Sequence, residues 1–109
     1  MIKKLMDINA ESFTTEVLDA AGVVVVEFYT QTCKFCKRFE PVMEAAADRY
    51  EGSVKFCRIN AAEARDIAMR FDVFGVPTTI IFRGGEVVER ISGFVPEDEL
   101  TRKIDGVLE

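Results

Sequence analysis

The sequence predicts an α/β protein, because strand-like and helix-like segments alternate along most of its length. The apolar, largely β-branched run at residues 23–29 is typical of a strand buried on both faces, as in parallel sheets covered by helices. Between such runs, apolar residues recur at three- and four-residue steps, as they do on one face of a helix. Arg83-Gly84-Gly85-Glu86 separates two later apolar runs and indicates a hairpin turn.

The predicted elements follow the order β-α-β-α-β-α-β-β-α. The first strand, residues 2–8, is short and mixed, and Asn9 is placed to cap a helix over residues 10–20. A second helix, residues 33–51, follows the buried strand and contains Pro41, which should interrupt its hydrogen bonding. The remaining elements are a strand at 54–59, a helix at 61–71, strands at 78–82 and 87–91, and a last helix that Pro96 opens.

Each predicted helix has one apolar face, which indicates where the core should lie. The side chains expected to point inward are Phe13, Val17, Leu18 and Ala21 in the first helix, Phe39, Val42, Met43, Ala46 and Tyr50 in the second, Ile67, Ala68 and Phe71 in the third, and Leu100, Ile104, Val107 and Leu108 in the last.

The length and net charge of the chain indicate how many domains it has and which partners are excluded. We expect a single domain over residues 1–109, because 109 residues is close to the commonest domain size. The net charge of −5 argues against nucleic acid or an anionic membrane as a partner. No apolar stretch approaches the roughly 20 residues that span a bilayer. The N-terminal segment turns acidic at Asp7, too early for a signal peptide, so we expect a cytoplasmic protein.

The numbers of cysteine and histidine residues exclude several kinds of catalytic site and metal site. The chain has no histidine, which excludes Ser-His-Asp and Cys-His catalysis, and its three cysteines are too few for a four-thiolate metal site. We therefore expect no metal and no bound cofactor. The spacing of Cys33 and Cys36 favours a redox-active dithiol. Cysteines that only pack, or half of an intermolecular metal site, remain alternatives from the residues alone.

The predicted position of the pair suits thiol chemistry. Cys33 lies in the first turn of a predicted helix, where unpaired N–H groups and the helix dipole stabilise a thiolate, and Lys34 and Lys37 are close by. Cys36 lies one turn deeper on the same side, within bridging distance. We therefore predict that Cys33 is the nucleophile and that Cys36 resolves the mixed disulfide.

Two stretches of the chain resemble the thioredoxin family. Residues 24–29, Val-Val-Val-Glu-Phe-Tyr, precede the cysteine pair, Lys37 and Pro41, and residues 71–78, Phe-Asp-Val-Phe-Gly-Val-Pro-Thr, precede a glycine-turned hairpin and Gly93. This resemblance covers nearly the whole chain. It implies the thioredoxin fold, a mixed five-stranded sheet in the order 1-3-2-4-5 flanked by four helices. It also implies a monomeric oxidoreductase that reduces disulfide-containing client proteins and is recharged by a thioredoxin reductase or an equivalent donor.

The resemblance also assigns a groove that binds the client protein. It implies that Pro77 is a cis-proline facing the dithiol, whose loop pairs with the client backbone as an added strand. Gly75, Val76, Thr78 and Gly93 would complete this groove, and Val76 and Thr78 would also serve ordinary strand burial.

Glu27 is a carboxylate inside a run of valines, which is costly unless the group is protonated or paired. The resemblance implies that it exchanges a proton with Cys36, and burial should raise its pKa toward the range useful for that role. Arg58 matches the lysine that approaches this carboxylate in the family. Its permanent charge could instead keep Glu27 ionised, and a purely structural Glu27–Arg58 ion pair is the alternative.

The chain departs from the family pattern at the dithiol. It has Lys34-Phe35 where thioredoxins usually carry Gly-Pro, and Thr32 where a tryptophan is usual. Lys34 should favour the Cys33 thiolate and make the couple more oxidising, whereas Phe35 and Phe74 add either client-contact surface or core. These changes leave the clients and the donor open.

Three further alternatives remain. Cys57 is interpreted as a buried, inert thiol, and a regulatory or dimerising thiol is its alternative. For the protein as a whole, the competing hypotheses are an interaction module of this fold that does not turn over, and an oxidase or isomerase.

Overall fold

The computed structural model describes residues 4–109 and contains the predicted succession of strands and helices. The strands are β1 (Leu5–Ile8), β2 (Val23–Tyr29), β3 (Val54–Asn60), β4 (Thr78–Arg83) and β5 (Glu86–Ser92). The helices are a π-helical segment (Thr14–Leu18), α1 (Lys34–Arg49), α2 (Arg65–Arg70) and α3 (Glu97–Leu108). Residues 2 and 3, which the first predicted strand includes, lie outside the described residues. Within residues 4–109, no helix is long and apolar enough to cross a membrane.

The five strands form one mixed sheet in the order β1-β3-β2-β4-β5. β1 and β2 both pair in parallel with β3, whereas β4 pairs antiparallel with β2 and with β5. The predicted α/β class, strand order and four flanking helices are therefore confirmed. Residues 23–28 of the central strand β2 are all buried, as the apolar run predicts.

Helices cover both faces of the sheet, and the residues of β2 alternate between the two. Val23 and Val25 belong to the core on one face, with Phe39, Met43 and Ala46 of α1 and Leu100 and Ile104 of α3. Val24, Val26 and Phe28 belong to the core on the other face, with Phe13 and Val17 near the first helix and Ile67 and Ala68 of α2. By the same alternation, Glu27 faces the layer of α1 and α3.

The first helix is shorter than the sequence predicts. A separate turn precedes it, in which the Ser12 N–H donates to the Asn9 side-chain oxygen (2.9 Å) and the Asn9 N–H donates to the Ser12 hydroxyl (3.1 Å). Asn9 therefore caps this turn and not the helix. The helix is five residues long and π-helical, and its C-terminal Asp19 N–H donates to the Thr14 carbonyl (2.8 Å).

A side chain from the sheet binds a backbone carbonyl near the end of this helix. The Lys55 ammonium of β3 donates to the Glu16 carbonyl oxygen (2.9 Å) and to the Glu16 carboxylate (2.5 Å). This carbonyl would otherwise accept from a further turn of helix. Ala21, predicted to point inward, lies beyond the helix and is exposed.

Two other helices differ from prediction at their ends. Residues 61–63 form a turn before α2, in which the Asn60 side chain accepts from the Ala62 N–H (2.9 Å), so α2 begins only at Arg65. In α3, Leu100 is fully buried, but Leu108 is 42% exposed and does not belong to the apolar face.

This contrast within α3 predicts a contrast in stability. Leu100→Ala removes a fully buried side chain and should lower the free energy of unfolding by about 2–5 kcal/mol. Leu108→Ala is the same change on the same helix at an exposed position, and should lower it by less than about 0.5 kcal/mol. Urea denaturation of both variants measures the difference, and equal losses would contradict the described packing of α3.

Candidate active site

The dithiol lies where β2 ends and α1 begins. β2 ends at Tyr29, a short turn follows, and Cys33 occupies the N-cap position of α1 with an extended backbone conformation (φ −83°, ψ 114°). Cys36 lies in the first turn of the helix. The sequence predicted Cys33 inside the helix, and the structure places it one residue before the helix begins.

The structure joins Cys33 and Cys36 in a disulfide, with Cα atoms 5.2 Å apart. The two sulfur atoms are not equivalent. Cys33 is partly exposed, whereas Cys36 is only 1% exposed. The backbone N–H of Cys36 donates to Sγ of Cys33 (3.0 Å), and such a donor at a helix N-terminus favours a thiolate on Cys33 once the disulfide is reduced.

The Val76–Pro77 peptide bond is cis, the conformation that the resemblance implied. Sγ of Cys33 lies 3.7 Å from the carbonyl oxygen of Val76, so this loop directly faces the dithiol. An open groove runs beside it. The groove contains all five residues expected to bind client proteins, together with four that the sequence did not assign to it: Gly75, Val76, Pro77, Thr78 and Gly93, and Asp72, Phe74, Arg90 and Ser92.

Backbone geometry explains the glycine at position 93. Gly93 has φ of +81°, a conformation that glycine adopts without strain and other residues rarely adopt. In this conformation its N–H donates to the Pro77 carbonyl oxygen (2.8 Å), which ties the loop after β5 to the cis-proline loop. On the other side of Pro77, the Thr78 hydroxyl donates to the Gly75 carbonyl oxygen (2.6 Å).

Arg90 is a groove residue that the sequence analysis missed. From β5 its guanidinium donates to the backbone carbonyls of Phe71 and Asp72, and so holds the segment that leads into the cis-proline loop. Asp72 itself has a left-handed backbone (φ 58°). No motif signals an arginine in this role, because its partners are backbone atoms brought close only by the folded chain.

Glu27 is completely buried, and neither carboxylate oxygen has a hydrogen-bond partner among the described residues. Burial raises the pKa of Glu27 from 4.5 to about 7, although the positive charge of Arg58 acts in the opposite direction. Oε1 lies 3.9 Å from Nε of Arg58, which is beyond hydrogen-bond distance. Burial therefore outweighs the arginine, and the carboxyl can gain or lose a proton near neutral pH.

Arg58 lies among three carboxylates and one aromatic ring. Besides Glu27, its guanidinium lies 3.7 Å from an oxygen of Asp7 and 3.7 Å from an oxygen of Glu40, and it stacks 3.7 Å above the ring centre of Tyr29. Of these neighbours, the sequence predicted only Glu27. Asp7 is its register partner in β1, and Glu40 lies four residues after Cys36 on the same side of α1. A small cavity beside this group is lined in part by Cys36, Glu40 and Arg58.

The other residues that the sequence marked as candidates differ in their exposure to solvent. Phe35 is 55% exposed and Phe74 is 86% exposed, so both offer contact surface and neither is core. Lys34 is exposed in the first turn of α1.

Cys57 is fully buried, and burial raises the pKa of its thiol to about 11, which disfavours the thiolate. Within residues 4–109, no group of three candidate ligand side chains could hold a metal ion.

Comparison with known proteins places this site in a family. The sequence matches the family model described as Thioredoxin over residues 4–106. It is 34% identical over 102 residues to the thioredoxin of Chlorobaculum thiosulfatiphilum, covering 94% of each chain. It is 35% identical over 105 residues to the thioredoxin of Peptoclostridium acidaminophilum, covering 95% of this chain and 92% of that protein. It is also similar to the chloroplastic M-type thioredoxin of Spinacia oleracea, with 34% identity over 98% of this chain and 59% of that protein.

The pKa of Glu27 predicts a pH-dependent stability difference for Glu27→Gln. In the unfolded chain the carboxyl loses its proton near its ordinary pKa of 4.5, but in the folded protein it keeps the proton up to about pH 7. Between these values the folded state binds the extra proton, so the wild type loses stability as pH rises. Glutamine cannot ionise. From about pH 4 to about pH 8, the free energy of unfolding of Glu27→Gln relative to the wild type should therefore rise by on the order of 3 kcal/mol.

Urea denaturation of the oxidised proteins at several pH values measures this difference without titration of Cys33 or Cys36. Glu44→Gln, an exposed position on α1, controls for the loss of one negative charge. A relative stability of Glu27→Gln that does not change with pH would contradict the raised pKa.

Proposed function

This chain belongs to the thioredoxin family, and we propose that it works as a thiol–disulfide oxidoreductase that reduces disulfides in client proteins. One observation carries the proposal: a partly exposed sulfur at the N-terminus of α1 faces a cis-proline loop, while its partner sulfur is buried one turn deeper. This asymmetry suits a two-step exchange, because the client reaches only the first sulfur.

In the first step, the Cys33 thiolate attacks one sulfur of the client disulfide. A bond forms between Cys33 and that sulfur, the client disulfide breaks, and the second client sulfur leaves as a thiolate that takes up a proton. The N–H of Cys36 stabilises the attacking thiolate, and the positive charges of Lys34 and Lys37 favour it further.

In the second step, the Cys36 thiolate attacks Sγ of Cys33 and forms the Cys33–Cys36 disulfide. The mixed disulfide breaks, and the client sulfur leaves as a thiolate that takes up a proton, so the client departs fully reduced. Two electrons have then passed from the dithiol to the client. Cys36 must lose its proton first, and its environment excludes most water. Glu27 faces the α1 layer and has a pKa of about 7, so we assign it the role of accepting this proton.

The groove at Pro77 is proposed to hold the client chain in an extended conformation. Gly75 has open space where a side chain would project, so a client backbone can approach there. Because Sγ of Cys33 lies beside the Val76 carbonyl, a chain that lies along residues 75–77 presents its cysteine to the nucleophile.

The same proposal includes the partners and the location. The oxidised dithiol must be reduced again, which requires a thioredoxin reductase or an equivalent donor. The chain works as a monomer and without a bound cofactor, since both electrons are carried by the two sulfur atoms. A dithiol kept reduced requires a reducing compartment, and the cytoplasm is the proposed one.

Cys36→Ser should trap client proteins. The variant can complete the first step but cannot resolve the mixed disulfide, so disulfide-bearing proteins should accumulate as covalent adducts on Cys33 that dithiothreitol releases. Non-reducing electrophoresis with insulin as the client, and then with a lysate, detects these adducts. Cys33→Ser is the matched control and should form none.

Turnover distinguishes an oxidoreductase from an interaction module. With dithiothreitol as the electron donor, the wild type should accelerate insulin reduction, and the double variant Cys33→Ser with Cys36→Ser should not. Equal rates for the two proteins would contradict the proposed function and favour a module that binds without turnover.

The role of Glu27 predicts a difference between the two steps. Glu27→Gln removes the proton acceptor, so resolution of the mixed disulfide near pH 7 should slow by roughly 10-fold or more, while the first attack changes by less than about 2-fold. Rapid mixing of the reduced protein with a fluorescent peptide disulfide separates the two rates. Equal slowing of both steps would point to a structural effect instead.

A further inference from the structure

Arg38 lies near two aromatic rings at the end of α1 that carries the dithiol. Its guanidinium carbon lies 5.9 Å from the ring centre of Phe35 and 5.9 Å from that of Phe94. Phe35 lies between the two cysteines, and Phe94 directly follows Gly93 of the groove. The Phe94 ring also packs edge-on against the buried Phe39 (5.6 Å between centres), which restricts its position. The guanidinium therefore lies near one ring from the dithiol segment and one ring from the loop after β5.

The guanidinium N–H donors of Arg38 have no partner among the described residues. The Arg38 side chain forms no hydrogen bond or ion pair within residues 4–109, and its guanidinium lies near the two rings. Arg58, in contrast, faces three carboxylates. A guanidinium that pairs with no carboxylate keeps its N–H edge available, and that edge matches the geometry of a carboxylate.

The surroundings of Arg38 are also positive. Lys34 and Lys37 precede it on α1, the first turn of the helix carries no acidic residue, and neither lysine has a carboxylate partner within residues 4–109. The chain as a whole carries a net charge of −5, so this positive cluster differs in sign from the net charge of the chain. These positive charges would attract an acidic ligand.

We propose that Arg38, together with Phe35 and Phe94, binds a carboxylate of the client and so selects proteins with aspartate or glutamate next to the disulfide to be reduced. The inference rests on the proposed function, because the acidic side chain is presented by the same client chain whose cysteine meets Cys33. It adds a specificity residue, Arg38, outside the groove at Pro77. Phe35 supports this residue from the position between the two cysteines.

Synthetic peptide disulfides test the inference. The probes are disulfide-linked peptide dimers with self-quenching fluorophores, whose reduction restores fluorescence. Each has either Glu or Gln beside the cysteine, on its N-terminal or its C-terminal side. At low ionic strength, the reduced wild type should reduce the Glu dimer about 3-fold to 10-fold faster than the Gln dimer for at least one side. Salt at about 0.5 M should remove most of this ratio.

Variants of Arg38, Arg83 and Lys34 test which residue causes the preference for Glu over Gln. Arg38→Gln should lower the Glu/Gln ratio below about 2, and Arg38→Lys should give an intermediate ratio because it keeps the charge but loses the planar edge. Arg83→Gln is the matched control. Arg83 is exposed and pairs with Val23, at the opposite end of β2 from the dithiol, so its loss should leave the ratio unchanged. Lys34→Gln should retain most of the ratio.

The outcomes separate the inference from the proposed function. A wild-type Glu/Gln ratio near 1, with the residue on either side of the cysteine, would overturn the carboxylate preference. Reduction of all the dimers in that case would still uphold the proposed function. Equal losses of the ratio in Arg38→Gln and Lys34→Gln would overturn the assignment to Arg38. If the wild type reduces no dimer faster than the variant without Cys33 and Cys36, the function fails, and the inference fails with it.

Discussion

The burial of the Glu27 carboxyl in the central strand is the constraint on which the rest of this structure depends. β2 lies between β3 and β4 with helices on both faces, so a side chain at its middle meets no bulk water. Polar side chains align across three strands at this point, with Arg58 and Thr79 as the register partners of Glu27. The Glu27 oxygens, Nε of Arg58 and the Thr79 hydroxyl all lack a hydrogen bond among the described residues. Such a row costs stability, and a proton-transfer role under α1 is a reason for a sequence to keep it.

Strand register explains why the dithiol, the cis-proline and Gly93 meet at one place. β4 runs antiparallel to β2, and Thr78 at its start pairs with Phe28 near the end of β2. The loop before β4 therefore lies beside the turn that leads from β2 into α1. Thr78 also pairs with Ser92 at the end of β5, which brings the following Gly93 to the same edge. β2 is the strand where parallel pairing on one side meets antiparallel pairing on the other. The turn after β2, the loop before β4 and the loop after β5 meet there, and they leave an open groove in which a ligand can bind.

The parts that the sequence could predict are those controlled by local pattern. The apolar run of β2, the apolar face of α1 and the glycine turn of the hairpin all fold as predicted, because each is determined by spacing along the chain. Some errors come from local turns, as at Asn9 and Asn60, and others occur where a distant side chain intervenes. Lys55 binds a carbonyl oxygen of Glu16 near the end of the first helix, and no periodicity near residue 16 reveals a lysine in β3. Arg90 is a similar case, because its partners are backbone carbonyls some eighteen residues away in sequence. Within the site, the burial of Glu27 could be predicted from the apolar run around it. The approach of Asp7 and Glu40 to Arg58 could not, because it depends on which strands and helices are neighbours in the fold.

Two charged residues, Lys34 and Glu27, lie on opposite sides of the dithiol, one exposed and one buried. Lys34 lies exposed next to Cys33, where its charge favours the outer thiolate and hence the reduced form of the couple. Glu27 lies inside the sheet, where in the proposed mechanism an ionised carboxylate would oppose a second negative charge on the buried Cys36. In that mechanism the charge of Lys34 promotes attack on a client, whereas Glu27 lets the inner thiol ionise as the carboxyl takes its proton. Phe35 adds no charge, and its exposed ring lies near Arg38. Because Lys34 and Phe35 are exposed while Glu27 is completely buried, the proposed choice of client and the proposed resolution step depend on different residues and can vary independently on one scaffold.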